Sequence, residues 1–203
     1  MKHTLYDRPT KRVIFEGKKI RLRTGFQQVL RYYSVLRDED LSDMDKVDIG
    51  LWLFLRNRLR LRIMPPAKKI SLMEAIFEQY IGAEKQATNQ KCMDFDQDSA
   101  YIFAAFYQCY HIDLLGKDKK LHWHKFIDLL GGLSDDTRFM QIISIRTRPI
   151  PKATKYNAQE RAALARLKAQ YRVKLTDSEQ RQQRENGFAK IAQMLEAQTR
   201  CKK

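Results

Sequence analysis

Glycine and proline are scarce in this chain, 8 and 5 among 203 residues. A sandwich of short strands draws on both for its turns, so the shortage argues against an all-β fold and for helices. Cysteine is scarcer still. Cys92, Cys109 and Cys201 are odd in number and form no CxxC pair, which argues against a disulfide framework and makes a reducing compartment the expectation. No apolar run approaches the roughly 20 residues that cross a bilayer, and the opening MKHTLYDRPTKR lacks the apolar centre of a signal peptide. A soluble, intracellular protein with no membrane partner is expected. Catalytic signatures are missing too: no GxSxG, HExxH, Walker-type loop or GxGxxG occurs. Neither enzymatic activity nor a cofactor is expected.

What the chain has is apolar content and positive charge. Hydrophobic residues make up 43%, enough for a folded core. The net charge of +15 is uneven: residues 1–70 hold 17 Lys and Arg against 8 Asp and Glu, residues 71–146 hold 8 against 11, and residues 147–203 hold 14 against 5. Two basic flanks around a slightly acidic middle suit an acidic partner, which is nucleic acid, an acidic protein or the middle section itself.

Period and punctuation give a mainly α fold with a small N-terminal β-hairpin. Residues 11–23 alternate apolar and basic around Glu16 and Gly17, with Val13, Phe15, Ile20 and Leu22 facing inward and Lys18, Arg21 and Arg23 facing water. Thr24 and Gly25 open a helix with the stripe Phe26, Val29, Leu30, Tyr33 and Leu36. Ser42 or Asp43 caps a second, carrying Val47, Leu51, Trp52, Phe54 and Leu55 and expected to run to about Arg62, where Pro65 and Pro66 stop it. Ser71 and Glu74 have capping-box spacing before an apolar face of Leu72, Ile76, Phe77, Tyr80 and Ile81, and Gly82 to Lys91 reads as a loop.

Asp96 is expected to cap a helix from Ala100 to Tyr110 that is apolar almost all round and therefore central. A helix from Leu121 follows, with Trp123, Phe126, Ile127 and Leu130 on one side and Gly131 and Gly132 stopping it in the left-handed conformation. Ser134 is the expected cap of the next, which buries Phe139, Ile142 and Ile143, with Asp135 and Asp136 in its first turn. Pro149 and Pro151 mark a boundary, dividing a core domain at 1–146 from a basic helical extension at 147–203. The extension holds a helix over 158–173 and a second opened by Thr176 and Glu179.

The candidate chemistry is mostly structural. His122 and His124 lie two apart, about 200 degrees around a helix, and do not chelate together on one; His111 and Cys109 add no convergence. Asp94, Asp96 and Asp98 suit a cation or acid–base pair, but helix capping is the favoured reading. Two basic clusters stand out: Arg56, Arg58, Arg60 and Arg62, and Lys18, Lys19, Arg21 and Arg23 with Lys11 and Arg12. Phosphate contacts and a solvated face explain them equally well.

The acidic start at Asp94, the aromatic helix running into YHIDLL and the block LHWHKFIDLLGGLSDDTRFMQIISIR resemble the tail-assembly chaperones of long, non-contractile-tailed bacteriophages, encoded near the tape-measure gene. The likeness covers most of the first 150 residues, departing at His124, where relatives tend to carry a second aromatic, and in the basic C-terminal stretch. It implies a non-enzymatic assembly factor in the cytoplasm of the bacterial host, with the tape-measure protein or tail-tube subunits as partners and no catalytic residues. Trp123, Phe126, Leu130, Phe139 and Ile143 read first as core; any that are exposed form a groove for an amphipathic segment, and the resemblance implies that such a groove covers the client. Nucleic-acid binding through the basic flanks and a structural place in the tail are the alternatives, and self-association into a homo-oligomer is left open.

Overall fold

The structure is a computed structural model that describes residues 9–82, 92–116 and 120–174. It is mostly helical with one two-stranded antiparallel hairpin. The hairpin joins β1 (Arg12–Phe15) to β2 (Lys18–Arg21), pairing Val13 with Ile20 and Phe15 with Lys18. Glu16 and Gly17 make its turn with φ of 48° and 72°, the two left-handed residues that fit the twist of adjacent strands. Val13 and Leu22 are buried while Lys19, Arg21 and Arg23 alternate onto the exposed face; Lys18, exposed as well, stands opposite Phe15 at the turn end of the inner face. Gln79 holds the outer edge of β1: its side-chain amide accepts from the Ile14 N–H at 2.9 Å and donates to the Ile14 carbonyl at 2.8 Å.

α1 (Phe26–Arg37) and α2 (Asp43–Phe54) follow. Ser42 caps α2 in a reciprocal capping box with Asp45. Gly50 lets the two helices touch: a Cβ there would lie 2.4 Å from Cε2 of Tyr32. α2 stops at Phe54, short of the expected end near Arg62. Leu55 turns extended and bridges Leu22, with the Arg23 N–H donating to the Phe54 carbonyl at 2.7 Å. The stretch from Arg56 to Met64, which alternates apolar and basic as a strand would, neither continues the α-helix nor forms a strand: most of it is a short 3-10 turn, Leu59–Ile63.

α3 (Pro66–Ile76) begins at the prolines that were expected only to stop a helix. Proline suits the first helical position because its missing N–H would be unpaired there anyway. Ser71, the expected cap, instead lies inside α3 and donates to the Ala67 carbonyl. The helix ends in a π turn, Phe77–Ile81.

α4 (Ser99–Tyr110), α5 (Trp123–Gly131), α6 (Arg138–Thr147) and α7 (Ala158–Gln170) complete the described elements. α4 is less central than its composition suggests. Only Ile102, Ala105 and Phe106 on it are buried; alanines and tyrosines raise its apolar count without requiring burial. The buried core joins the hairpin and α1 to α5, through Val13, Phe26, Leu51, Phe54, Ile76, Phe106 and Phe126, without placing α4 at its centre.

Three further caps differ from expectation. Asp98, not Asp96, precedes α4, and Asp94 accepts from the N–H groups of Asp96 and Gln97 in the turn before it. Thr137 rather than Ser134 caps α6, accepting from the Met140 N–H and donating to the Ser134 carbonyl, so Asp135 and Asp136 stand exposed in the preceding turn. Gly132 ends α5 without a left-handed φ. A Cβ there would come within 3.1 Å of Oη of Tyr110, whose hydroxyl donates to the Leu129 carbonyl.

Residues 148–157 are largely exposed between α6 and α7. Through Tyr171 the described residues form one unit, and the chain divides there. The expected helix opened by Thr176 and Glu179, most of the loop to Lys91, and Cys201 lie outside the described residues.

Candidate functional site

Of the five side chains that read first as core, and as a groove only where exposed, four are buried. Trp123 is 2% and Phe126 1% exposed, Leu130 and Phe139 are buried, and Ile143 is half-buried. Phe126 stacks on Phe26 at 4.7 Å and on Phe106 at 5.1 Å, while Nε1 of Trp123 donates to the Ile81 carbonyl. Among the described residues, the apolar side chains at helical spacing on α5 and α6 are largely taken up in packing against neighbouring helices. Phe126 does reach the floor of a shallow apolar depression between α1 and α4, about 280 Å³ in volume, lined also by Phe26, Leu30, Ile102, Phe103 and Leu114.

The two basic clusters, separated by more than thirty positions in sequence, meet in space. The Leu22–Leu55 bridge and the Arg56 N–H donating to the Arg21 carbonyl lay residues 55–57 alongside β2. Between them opens a groove of about 690 Å³, with Lys18, Lys19, Arg21, Arg56 and Lys68 around it and Phe15, Ile20, Leu55, Met64 and Leu72 as apolar lining. Arg56 and Asn57 also line a neighbouring depression of about 560 Å³, which takes in Arg23, Trp52, Arg58, Leu59, Leu61 and Arg62. The basic surface is therefore continuous across the joint. Arg60 sits on the 3-10 turn between them, and of it only the backbone is described.

Apolar side chains stand exposed among these charges. Trp52 is 52%, Leu59 81% and Ile63 84% exposed. The Arg58 guanidinium lies over the Trp52 ring at 3.6 Å and its Nε donates to the Trp52 carbonyl at 3.0 Å, a cation–π arrangement that holds the arginine in place. Loss of solvent, then the nearby Arg23, lower the pKa of Arg58; among the described residues its Nη2 is buried with no hydrogen-bond partner. Like charges forced together in this way make a site that favours an anion. The sequence shows the arginines but gives no sign of Trp52, Leu59 and Ile63 as surface: Trp52 falls on the apolar face of α2, and Leu59 and Ile63 alternate with arginine as they would in a half-buried strand.

The expected capping carboxylates are largely spoken for by arginines. Asp98, fully buried, receives Nη1 of Arg146 at 2.6 Å and Nη2 at 2.8 Å. Asp94 and Asp96 meet Nη1 of Arg37 at 2.9 and 3.1 Å. The Asp98–Arg146 pair balances charge one to one in the interior, while Asp94 and Asp96 share the single charge of Arg37; such contacts serve structure. His122 is the N-cap of α5 rather than a helical position, so its ring lies 5.1 Å from that of His124 despite the divergence expected on a helix. Both rings are engaged. His122 Nδ1 accepts from the His124 N–H, and the Nε2 atoms face the carbonyls of Thr10 and Tyr80 at 3.0 and 2.6 Å. Among the described residues no group of three or more His, Cys, Asp or Glu is placed to hold a metal ion.

No curated protein and no solved structure matches this chain. A family model does: the one described as Bacteriophage Gp15 protein matches residues 7–173, from the N-terminal hairpin through α7, and so takes in both the aromatic core and the basic surface. On that match, over far more than half its length, the chain belongs to the Bacteriophage Gp15 protein family.

Proposed function

We propose that this protein is a non-enzymatic assembly factor for a phage tail, acting in the cytoplasm of the bacterial host as a chaperone for the tape-measure protein or tail-tube subunits. Family membership supplies the phage setting. The observation that carries the binding role is the convergence of Arg21, Arg23, Arg56, Arg58 and Arg62 around exposed Trp52, Leu59 and Ile63. Exposed apolar side chains ringed by charge are the composition of a protein-docking face, where apolar contact supplies affinity and charge supplies steering. A long helical client is held soluble by many such contacts while the tube polymerises around it.

The test is co-expression of the tagged chain with the tape-measure and tail-tube proteins of the same phage. The expected result is co-purification, with more tape-measure protein in the soluble fraction than when it is expressed alone; capture of neither protein would overturn the proposal. Mass spectrometry of purified virions distinguishes a factor that leaves from a component that stays. The same arginine surface supports a second reading, nucleic-acid binding. That reading requires retention of DNA or RNA on a filter that collapses steeply as salt rises, because phosphate contacts release counterions.

A further inference from the structure

We propose that the groove between β2 and residues 55–65 receives an acidic segment carrying aliphatic side chains, a deepening that rests on the assembly-factor reading above. Three observations favour this occupant. Its rim is basic on both sides, with Lys18, Lys19 and Arg21 from the hairpin facing Arg56 and Lys68; Glu16, also in the lining, pairs with Lys68 at 2.7 Å and leaves the other four cations to outnumber it. The lining is aliphatic and aromatic carbon from Phe15, Ile20, Leu55, Met64 and Leu72, which gives no advantage to a phosphate backbone. Ile63, at the rim, is 84% exposed and has nothing to gain from a polar ligand.

A nucleic acid fits this surface less well. Single strands are gripped by open aromatic faces on which bases stack. Trp52, the exposed indole beside the groove, already carries the Arg58 guanidinium on one face. Leu59 and Ile63 are aliphatic and do not stack. Acidic side chains reaching the rim, with leucine or isoleucine side chains descending to the floor, satisfy both halves of the site at once.

Fluorescence anisotropy on the full chain tests this with four labelled probes: a peptide alternating Glu and Leu, a matched peptide of Glu and Ser, a matched peptide of Lys and Leu, and a DNA oligonucleotide. The Glu–Leu peptide is expected to bind at least about tenfold more tightly than the other three, and R21E/R56E to abolish that preference. I63S removes only an exposed side chain, so it leaves the fold intact, and it is expected to weaken the Glu–Leu peptide by about threefold or more while leaving DNA unchanged. R166E, on the exposed side of α7, is the control for net charge and should change binding little. DNA binding tighter than the Glu–Leu peptide, equal binding of the Glu–Ser and Glu–Leu peptides, no binding of any probe, or no effect of I63S each overturns the proposal. Its failure separates from that of the assembly role. If R21E/R56E still captures the tail proteins, the groove is wrong and the assembly role stands; if the peptide binds but no tail protein is captured, the groove stands and the assembly role is wrong.

Discussion

Arg146 spends its guanidinium on three partners. Beyond the two-pronged contact with Asp98, Nη1 donates to the Cys92 carbonyl and Nε to the Tyr171 carbonyl, while its own carbonyl accepts from Nζ of Lys168. One side chain thus ties α6 to the entry of α4 and the exit of α7. Arg146→Ala leaves the Asp98 carboxylate buried without its counter-charge, and urea unfolding should register a loss of about 3–5 kcal/mol. Replacing both partners, as Asp98→Leu with Arg146→Met, should recover only part of this, because the carbonyls of Cys92 and Tyr171 still lose their donor. Two tyrosines predict the alkaline limit. Burial pushes the Tyr32 phenol up to about 12 and that of Tyr80 higher still, so the folded state holds protons that the unfolded chain gives up near 10. Stability should stay level below about pH 10 and fall as pH rises through 10 to 12, measurable as the urea midpoint at a series of alkaline pH values.

At the scale of elements, the contact of α1 with α2 depends on a missing side chain. Helix propensity alone favours alanine over glycine at position 50 by about 1 kcal/mol. The Tyr32 ring, itself buried, occupies the space that an alanine methyl needs, and overpacking of this kind costs about 1–3 kcal/mol. Gly50→Ala is therefore expected to be neutral to destabilising by about 2 kcal/mol, and a gain in thermal stability would contradict the close approach. The elements were legible where a local signal stood alone: Glu16–Gly17 for the hairpin turn, Ser42 or Asp43 for the start of α2, and Trp123, Phe126 and Leu130 for the buried face of α5. They misled where two signals competed. Ser71 and Glu74 have capping-box spacing, yet Pro66 opens the helix earlier. Arg56 to Met64 suits helix and strand alike; Leu22, far away in sequence, ends the helix just before it by pairing with an extended Leu55, and most of the stretch becomes a 3-10 turn.

For the molecule as a whole, a net charge of +15 sets a background of self-repulsion that salt screens over about 10 Å or less. Exposed pairs such as Arg148 with Glu160 at 3.5 Å contribute little in return, and the Arg146–Asp98 pair is shielded from salt by burial. The melting temperature should therefore rise by a few degrees between about 0.05 and about 0.5 M NaCl, followed by circular dichroism. A fall would mean that surface ion pairs outweigh the repulsion. The proposed client binding should respond in the opposite sense, weakening with salt, because the basic rim is exposed.

Composition and period were sufficient for the fold class and for the arginines as candidates, because scarce turn formers, apolar stripes and charge counts are properties of the chain read locally. Where those arginines gather depended on tertiary structure. The bridge between Leu22 and Leu55 brings Arg21 beside Arg56, and the same packing buries Trp123 and Phe126 while leaving Trp52, Leu59 and Ile63 in solvent. Pattern identifies a side chain as apolar; only the arrangement of its neighbours determines whether it is covered.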